Sequence, residues 1–406
     1  MRVIKTLVGA ALFAIVAIAV LLGLMWLDHN RETTLPTPTG PFAVGRTTYV
    51  WSDPAHLDPM ASQPGTKREL LAWIWYPATP RQMSQTVDDY LPAPWRTALE
   101  RQSGALLTQF LTRDLSRVRV HSVRDADVSP QQRLYPVVFM RAGLAALTTD
   151  YTTLAEDLAS HGYVVVGFDA PYRSFVAVFP DGRVIARAPQ NNADLLGGPQ
   201  QELLANKLLQ AWSADMGFAL DQLERLNASD PSGRFQGRLD MQRVGVFGHS
   251  LGGAAALQFC HDNSRCKAGI DVDGAPLGSV IAEGVTQPFM FILSDHRGES
   301  AAGEPEAIRQ AGVNIHSIYD RLPSDRRLMI TIRGAGHYMF SDDGAMLKSP
   351  FVMRVLRTVG VVRLDGRRQV ALTAHYISTF FDVYLKGSPA SQLSGQPEYP
   401  EIEYVH

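Results

Sequence analysis

Arg243 to Ala256 reads RVGVFGHSLGGAAA, and the fold is decided there. Val244, Val246 and Phe247 form an apolar approach, and the small residues from Gly252 to Ala256 form a helix-compatible exit. Ser250 therefore falls at a strand-to-helix turn, at the centre of Gly248-His249-Ser250-Leu251-Gly252. A G-x-S-x-G match in that setting reads as a nucleophile elbow, a sharp turn that strains the serine backbone and lifts its hydroxyl clear of the sheet. Glycines flank it because a Cβ at Gly248 or Gly252 would strike neighbouring backbone. The helix that starts near Leu251 aims its first amides at the same spot, where negative charge would be stabilised. His249, inside the turn, is expected to pack beneath it rather than react.

Outward from the elbow, strands and helices alternate. Upstream, Pro136–Met140 and Val164–Phe168 are apolar strands separated by a helical face at Tyr151, Leu154, Ala155 and Leu158, closed by Gly162. Phe175–Ala188 holds two alternating runs around Pro180-Asp181-Gly182 and reads as a hairpin. Trp212, Met216, Ala219, Leu220, Leu223 and Leu226 mark one face of a long amphipathic helix. Downstream come the strands Ala268–Val272, Pro288–Leu293 and Leu328–Ile332 and a last helix, Gln369–Leu385. This order implies an α/β fold with a mostly parallel central sheet wrapped by helices on both faces. Phe42–Val50 and Leu70–Tyr76 read as opening strands, antiparallel to each other and joined by a proline-rich loop. Asp89–Phe110 starts in turns and becomes helical, an insertion over the sheet edge.

A serine hydroxyl needs a base to take its proton and an acid to orient that base. His337, in RGAGHYMF directly after the strand LMITI, sits on a glycine-rich loop able to swing an imidazole over the elbow. Of eleven histidines it alone has that placement downstream of the serine and the candidate acids; His375 lies mid-helix. Two acids compete, Asp273 at the end of AGIDVD and Asp295 after FMFILS, and topology alone does not separate them. Asp271 lies deeper in its strand, in a structural position. For a developing oxyanion, the Leu251 amide and one from the loop Arg141-Ala142-Gly143-Leu144, with Leu144 preferred, are the candidates. No phosphate loop, dinucleotide fingerprint or metal-ligand spacing is present, so no cofactor and no metal is expected.

The 406 residues carry a formal charge of -2, which gives no reason to expect a nucleic-acid partner, and 46% hydrophobic content is ample for a core. Cys260 and Cys266 are the only cysteines; a local disulfide and two free thiols both remain open. Thr6–Leu27 is uncharged and almost wholly apolar, preceded by Arg2 and Lys5 and followed by Asp28, His29, Asn30, Arg31 and Glu32. About twenty helical residues span roughly 30 Å, enough to cross a bilayer. The one A-x-A match, Ala17-Ile18-Ala19, lies inside the run, which favours a retained signal anchor over a cleaved peptide. The basic flank places the N-terminus in the cytoplasm and the rest in the periplasm or outside the cell. The expected organisation is an anchor over 1–31, a linker over 32–41, the α/β domain over 42–386 and a tail over 387–406 draped on the surface.

The segments YPVVFMRAGLAAL, DLASHGYVVVGFD, VFGHSLGG, RCKAGIDVDG and LMITIRGAGH together resemble the α/β-hydrolase superfamily. Within it, the similarity is to the plasma-type platelet-activating-factor acetylhydrolases and their bacterial relatives, from about Tyr135 to Leu385. The resemblance implies the α/β-hydrolase fold, and a Ser250-His337-Asp273 triad, since the family acid follows the first strand after the elbow. It also maps the family's oxyanion loop onto Gly143 and Leu144. Where relatives carry Ser-His-Gly this chain has Arg141-Ala142-Gly143, and Arg141 is expected to reach solvent rather than an anionic substrate. The expected function is a membrane-anchored serine carboxylic ester hydrolase working through an acyl-enzyme on a small-molecule or lipid ester. A phospholipase A2-like or platelet-activating-factor acetylhydrolase activity is the narrower alternative. A catalytically silent hydrolase fold used for envelope binding is the alternative from another class.

Overall fold

The computed structural model describes residues 2–80, 86–104, 112–144, 146–193, 196, 198–295, 306–346, 358 and 363–405. From the N-terminus, α1 (Arg2–His29) is followed by β1 (Thr33–Thr34), β2 (Ala43–Leu57), β3 (Lys67–Ala78), β4 (Val87–Asp89), α2 (Ala93–Ser103) and β5 (Val118–Arg124). The middle of the chain supplies β6 (Tyr135–Arg141), α3 (Thr152–Ser160), β7 (Val164–Asp169), the hairpin β8 (Val176–Val178) and β9 (Val184–Ala186), and α4 (Gly198–Ala228). Then come β10 (Leu239–His249), α5 (Leu251–Asp262), β11 (Cys266–Val272), α6 (Val280–Glu283), β12 (Phe289–Leu293) and α7 (Glu306–Arg321). The chain closes with β13 (Arg327–Ile332), α8 (Asp342–Met346), α9 (Gly366–Lys386) and β14 (Ile402–Tyr404).

Twelve strands form one sheet in the order β1-β5-β2-β3-β7-β6-β10-β11-β12-β13-β14, with β4 beside β5. From β7 to β13 every neighbour is parallel, while β3 runs against both β2 and β7, and β14 against β13. The central strands β6 and β7 are buried along their whole length, which is why they read as continuous apolar runs. Each face carries its own apolar cluster. Leu154, Leu158, Phe380 and Phe381 belong to one, Trp212, Leu220, Leu223 and Phe259 to the other, so helices cover both faces. Cys260 and Cys266 are joined in a disulfide, with S–S 2.02 Å, tying the end of α5 to the start of β11.

Three expectations change. The expected opening strand continues past Val50 to Leu57, because Trp51, Ser52 and Asp53 keep pairing with Leu70, Glu69 and Arg68. The linker is part of the sheet: Thr33 and Thr34 pair with Val118 and Arg119, and Leu35 is buried and donates its N–H to Arg119 O at 2.9 Å. Further along, Thr39 N and Oγ1 both donate to Asp157 Oδ1 at 2.8 Å, and Gly40 N donates to Ser160 Oγ at 2.9 Å. The tail does not merely drape, since β14 extends the sheet beyond β13 and Ile402 is buried there. In the linker and the tail, backbone donors and acceptors at the sheet's ends are satisfied by a segment whose polar composition suggested a loop. The insertion expected over Asp89–Phe110 is helical over Ala93–Ser103, and residues 105–111 lie outside the described residues.

Candidate active site

The elbow is built by sterics. Ser250 has φ 57° and ψ -128°, a conformation that non-glycine residues hold at a cost of about 1–3 kcal/mol and that tends to mark functional turns. A Cβ on Gly248 would lie 2.1 Å from Gly252 O, and one on Gly252 would lie 2.4 Å from Arg141 O. Neither position can carry a side chain while the turn keeps its shape. Ser250 N donates to Val272 O at 2.9 Å, and α5 begins at the next residue, so the Leu251 amide is among the first-turn N–H groups without an intrahelical partner.

Two side chains from later strand ends meet beside it. Asp273 follows β11, itself in a left-handed conformation with φ 55°, and His337 opens a short 3-10 turn after β13. His337 Nδ1 lies 2.6 Å from Asp273 Oδ2, within a charge-assisted hydrogen bond. The other carboxylate oxygen, Asp273 Oδ1, accepts from Ser294 N at 2.7 Å and Ser294 Oγ at 2.8 Å. Burial, the largest influence on Asp273, pushes its pKa up. The His337 hydrogen bond and charge, with both Ser294 donors, outweigh it and hold the pKa below the ordinary carboxylate value. An anionic Asp273 fixes the proton on His337 Nδ1 and leaves Nε2 as the basic nitrogen. The His337 ring lies 4.6 Å, centroid to centroid, from the ring of His249, the residue before Ser250, which brings the imidazole to the elbow.

The loop opposite is held by side chains that sequence reading missed. Arg141 does not reach solvent; it is 2% exposed, its guanidinium lying 4.1 Å from the Trp212 ring centroid and 4.7 Å from that of Phe168. Its Nη1 donates to Phe168 O at 2.7 Å. Burial brings its pKa down to about 10, so it stays a cation at neutral pH, stabilised by two aromatic faces. Next to it, Gly143 N donates to Tyr151 Oη at 3.3 Å, and Tyr151 Oη stands 2.7 Å from His249 Nδ1. Burial, then the neighbouring His337, lower the His249 pKa to about 3. The Tyr151 hydroxyl donates a hydrogen bond to Nδ1 of neutral His249, so the order Gly143 N–H, Tyr151 O–H, His249 Nδ1 braces the loop against the elbow. Leu144 and Leu251 side chains pack on one small apolar cluster with Met60, Leu208 and Ala211.

The remaining candidates are structural in this arrangement. Asp295 Oδ2 accepts from Gly334 N at 2.8 Å, and Asp295 N donates to Ala335 O at 3.0 Å. It thereby pins the glycine-rich loop that carries His337. Gln369 of α9, fully buried, holds the same loop by donating to Gly336 O at 2.9 Å and accepting from Gly336 N at 3.1 Å. Asp271 lies under the elbow helix, where burial, the largest influence, pushes its pKa up to about 8. His375 pairs with Glu398 of the tail at 3.3 Å.

Fold and site together define an α/β-hydrolase, a strained serine between strand and helix with an imidazole-carboxylate pair beside it. Comparison with known proteins makes this specific. The chain belongs to the family described as platelet-activating factor acetylhydrolase, isoform II, whose profile matches residues 27–186 and 208–386. That match takes in IWYP and YLPAPW, upstream of Tyr135, which carry weaker echoes of the same family. Among curated relatives, the platelet-activating factor acetylhydrolase of Canis lupus familiaris is 24% identical over 79% of this chain and 70% of its own. A probable 1-alkyl-2-acetylglycerophosphocholine esterase of Arthroderma benhamiae is 23% identical over 91% of this chain and 93% of its own. Among solved structures, a ferulic acid esterase from Streptomyces cinnamoneus superposes with TM-score 0.73 at 26% identity, covering 93% of this chain and all of the other. The protein is thus an ester-hydrolysing enzyme, and the binding-only alternative falls.

Proposed function

We propose that the chain is a membrane-anchored serine esterase whose substrates are lipid esters. The observation that carries it is the 2.6 Å contact between His337 Nδ1 and Asp273 Oδ2 beside the strained Ser250. In this reading Ser250 Oγ attacks the ester carbonyl carbon while His337 Nε2 takes its proton. The Leu251 and Leu144 amides stabilise the tetrahedral oxyanion. Collapse expels the alcohol, protonated by His337, and leaves an acyl-serine. Water, deprotonated by the same nitrogen, then attacks the acyl carbon; collapse breaks the bond to Oγ, releases the carboxylic acid, and His337 returns its proton to Ser250 Oγ. Asp273 stays ionised throughout and stabilises the imidazolium that forms twice per turnover.

The lipid reading draws on two supports, the family and α1. The window Leu12–His29 has mean hydropathy 2.1 and is 6% buried, so its apolar surface is left for a bilayer rather than for the domain. Its basic N-terminal flank favours a cytoplasmic N-terminus and a catalytic domain on the far side of the membrane. Turnover by the detergent-solubilised full chain on aryl esters of increasing acyl length and on a phospholipid with an acetyl group at the second position tests it, with Ser250→Ala as blank. Acetyl-phospholipid should be hydrolysed at a higher kcat/KM than aryl acetate. Activity confined to aryl esters would restrict the enzyme to soluble substrates.

A further inference from the structure

A retained membrane helix ordinarily joins its domain through a loose linker, so that the domain tumbles above the bilayer. Here the junction is bonded to the domain at Asp28, His29, Glu32, Thr33 and Thr34. Arg113, 9% exposed, donates from Nη1 to Asp28 O at 2.8 Å and from Nε to Met346 O, the last residue of α8, at 2.6 Å. Its Nη2 also lies 3.5 Å from Asp28 Oδ1. His29 Nδ1 contacts Thr112 O, and His29 O accepts from Asp114 N at 3.0 Å. Glu32 then pairs with Arg119 at 2.8 Å, Thr33 and Thr34 enter the sheet, and Arg367 Nη2 donates to Thr34 O at 2.6 Å. Between these contacts, Asn30 N and Arg31 N donate back to Trp26 O at 3.1 Å and Asp28 O at 3.3 Å, which continues the end of α1 into the clamped segment.

The place where this junction is fastened matters for the chemistry. Arg113 grips α8, whose five residues span about 8 Å. At its other end α8 packs on the His337–Phe340 turn, and Asp342 Oδ1 accepts from Thr153 N at the head of α3 at 3.1 Å. The root of α1 therefore stands one short helix from the imidazole. Two large aromatics are exposed on either side of that distance: Trp26, 55% exposed in the last turns of α1, and Tyr338, 76% exposed and adjacent to His337. Exposed Trp and Tyr are the side chains that settle at the headgroup level of a bilayer.

We propose that Asp28–Thr34, clamped by Arg113 to α8, is a rigid seat that holds the Ser250–His337 mouth against the bilayer, with Tyr338 in the headgroup layer. The partner surface is the lipid leaflet into which α1 enters, and esters reach Ser250 from that leaflet. The inference rests on reading α1 as a membrane helix.

Tyr338→Cys in the full chain, reconstituted into phosphatidylcholine vesicles, carries the test. Both native cysteines are locked in the disulfide, so a thiol-reactive, environment-sensitive fluorophore marks position 338 alone. Phosphatidylcholine bearing a nitroxide near the headgroup should quench that label strongly. Adding Arg113→Gln should at least halve the quenching, and Asp28→Asn should lower it by less. With Tyr338 native, Arg113→Gln should lower hydrolysis of vesicle-borne acetyl-phospholipid about tenfold, as loss of orientation does, while aryl acetate turnover stays unchanged. Unchanged aryl acetate turnover also certifies the fold; if Arg113→Gln fails that check, Asp28→Asn decides. An unquenched label on protein that resists carbonate extraction overturns the seat and leaves the anchor standing. Quenching indifferent to the clamp variants overturns it too. Protein released by carbonate removes the anchor reading and the seat together.

Discussion

The two walls of the site are made differently. On the elbow side, position is set by backbone: Gly248 and Gly252 have no room for a Cβ, and Ser250 is held at φ 57° by the turn between β10 and α5. On the facing loop, position is set by side chains from distant elements, with Arg141 between Phe168 and Trp212, and Tyr151 between Gly143 and His249. A wall made of backbone tolerates no substitution but is written in local sequence. A wall made of side-chain packing can be rebuilt with different residues of similar volume, and its cues are scattered along the chain.

The comparison breaks first on the elbow side. Ser250→Ala and His337→Ala should each lower kcat by about 10⁴-fold or more with the fold intact, because members of a triad act as a unit. Turnover of a chromogenic ester and thermal melts check both halves of that statement. Residual activity within tenfold of wild type would place the chemistry elsewhere.

Asp273→Asn should cost about 10³- to 10⁴-fold in kcat, since an amide no longer fixes the imidazole tautomer. Asp295→Asn, which keeps an oxygen for Gly334 N, should cost less than about tenfold. The reverse ranking in parallel kinetic assays would exchange their roles.

On the loop side the effects are smaller and appear first in stability. Arg141→Ala leaves a gap between two aromatic rings and removes a donor to the Phe168 carbonyl, and should cost about 2–4 kcal/mol. Arg141→Met, which refills the volume, should recover more than half of that in urea denaturation. A solvent-facing Arg141 would make both variants neutral. Tyr151→Phe should lower kcat by about three- to tenfold with KM unchanged, as both hydrogen bonds that brace the loop through the Tyr151 hydroxyl are lost. A change in KM alone would tie Tyr151 to substrate binding instead.

The smallest effect concerns pH. Asp271 takes up a proton on folding, because its pKa is about 8 in the native state against an ordinary 3.8. The folded state then binds more protons than the unfolded state between those values, so this group's contribution to stability falls as pH rises from about 4 to 8 and is flat above. Asp271→Asn should flatten that slope and raise the melting temperature at pH 8 relative to the native chain. Identical pH profiles for both proteins would mean that Asp271 is ionised.

Much of the backbone-built wall was legible. Ser250, Leu251 and the strand order around them follow from glycine spacing and apolar runs, which are local signals. Asp273 and Asp295 could not be separated from residues alone, as they end adjacent strands β11 and β12. What separates them is the direction of each carboxylate, one accepting from His337 and the other from Gly334. Arg141 was misread because its aromatic partners lie 27 and 71 positions downstream, at Phe168 and Trp212, and burial of a guanidinium leaves no local mark. The linker and tail were misread for the reverse reason. Polar composition describes side chains, whereas Thr33–Thr34 and Ile402–Tyr404 are held by main-chain pairing to sheet edges.

One measurement goes directly to the serine. A fluorophosphonate ester incubated with the folded full chain, followed by peptide mass spectrometry, should place one adduct on Ser250. His337→Ala should slow that labelling by about 10³-fold or more, since the hydroxyl then lacks its base. Folded protein that stays unlabelled, or that carries its adduct on another residue, would contradict the account.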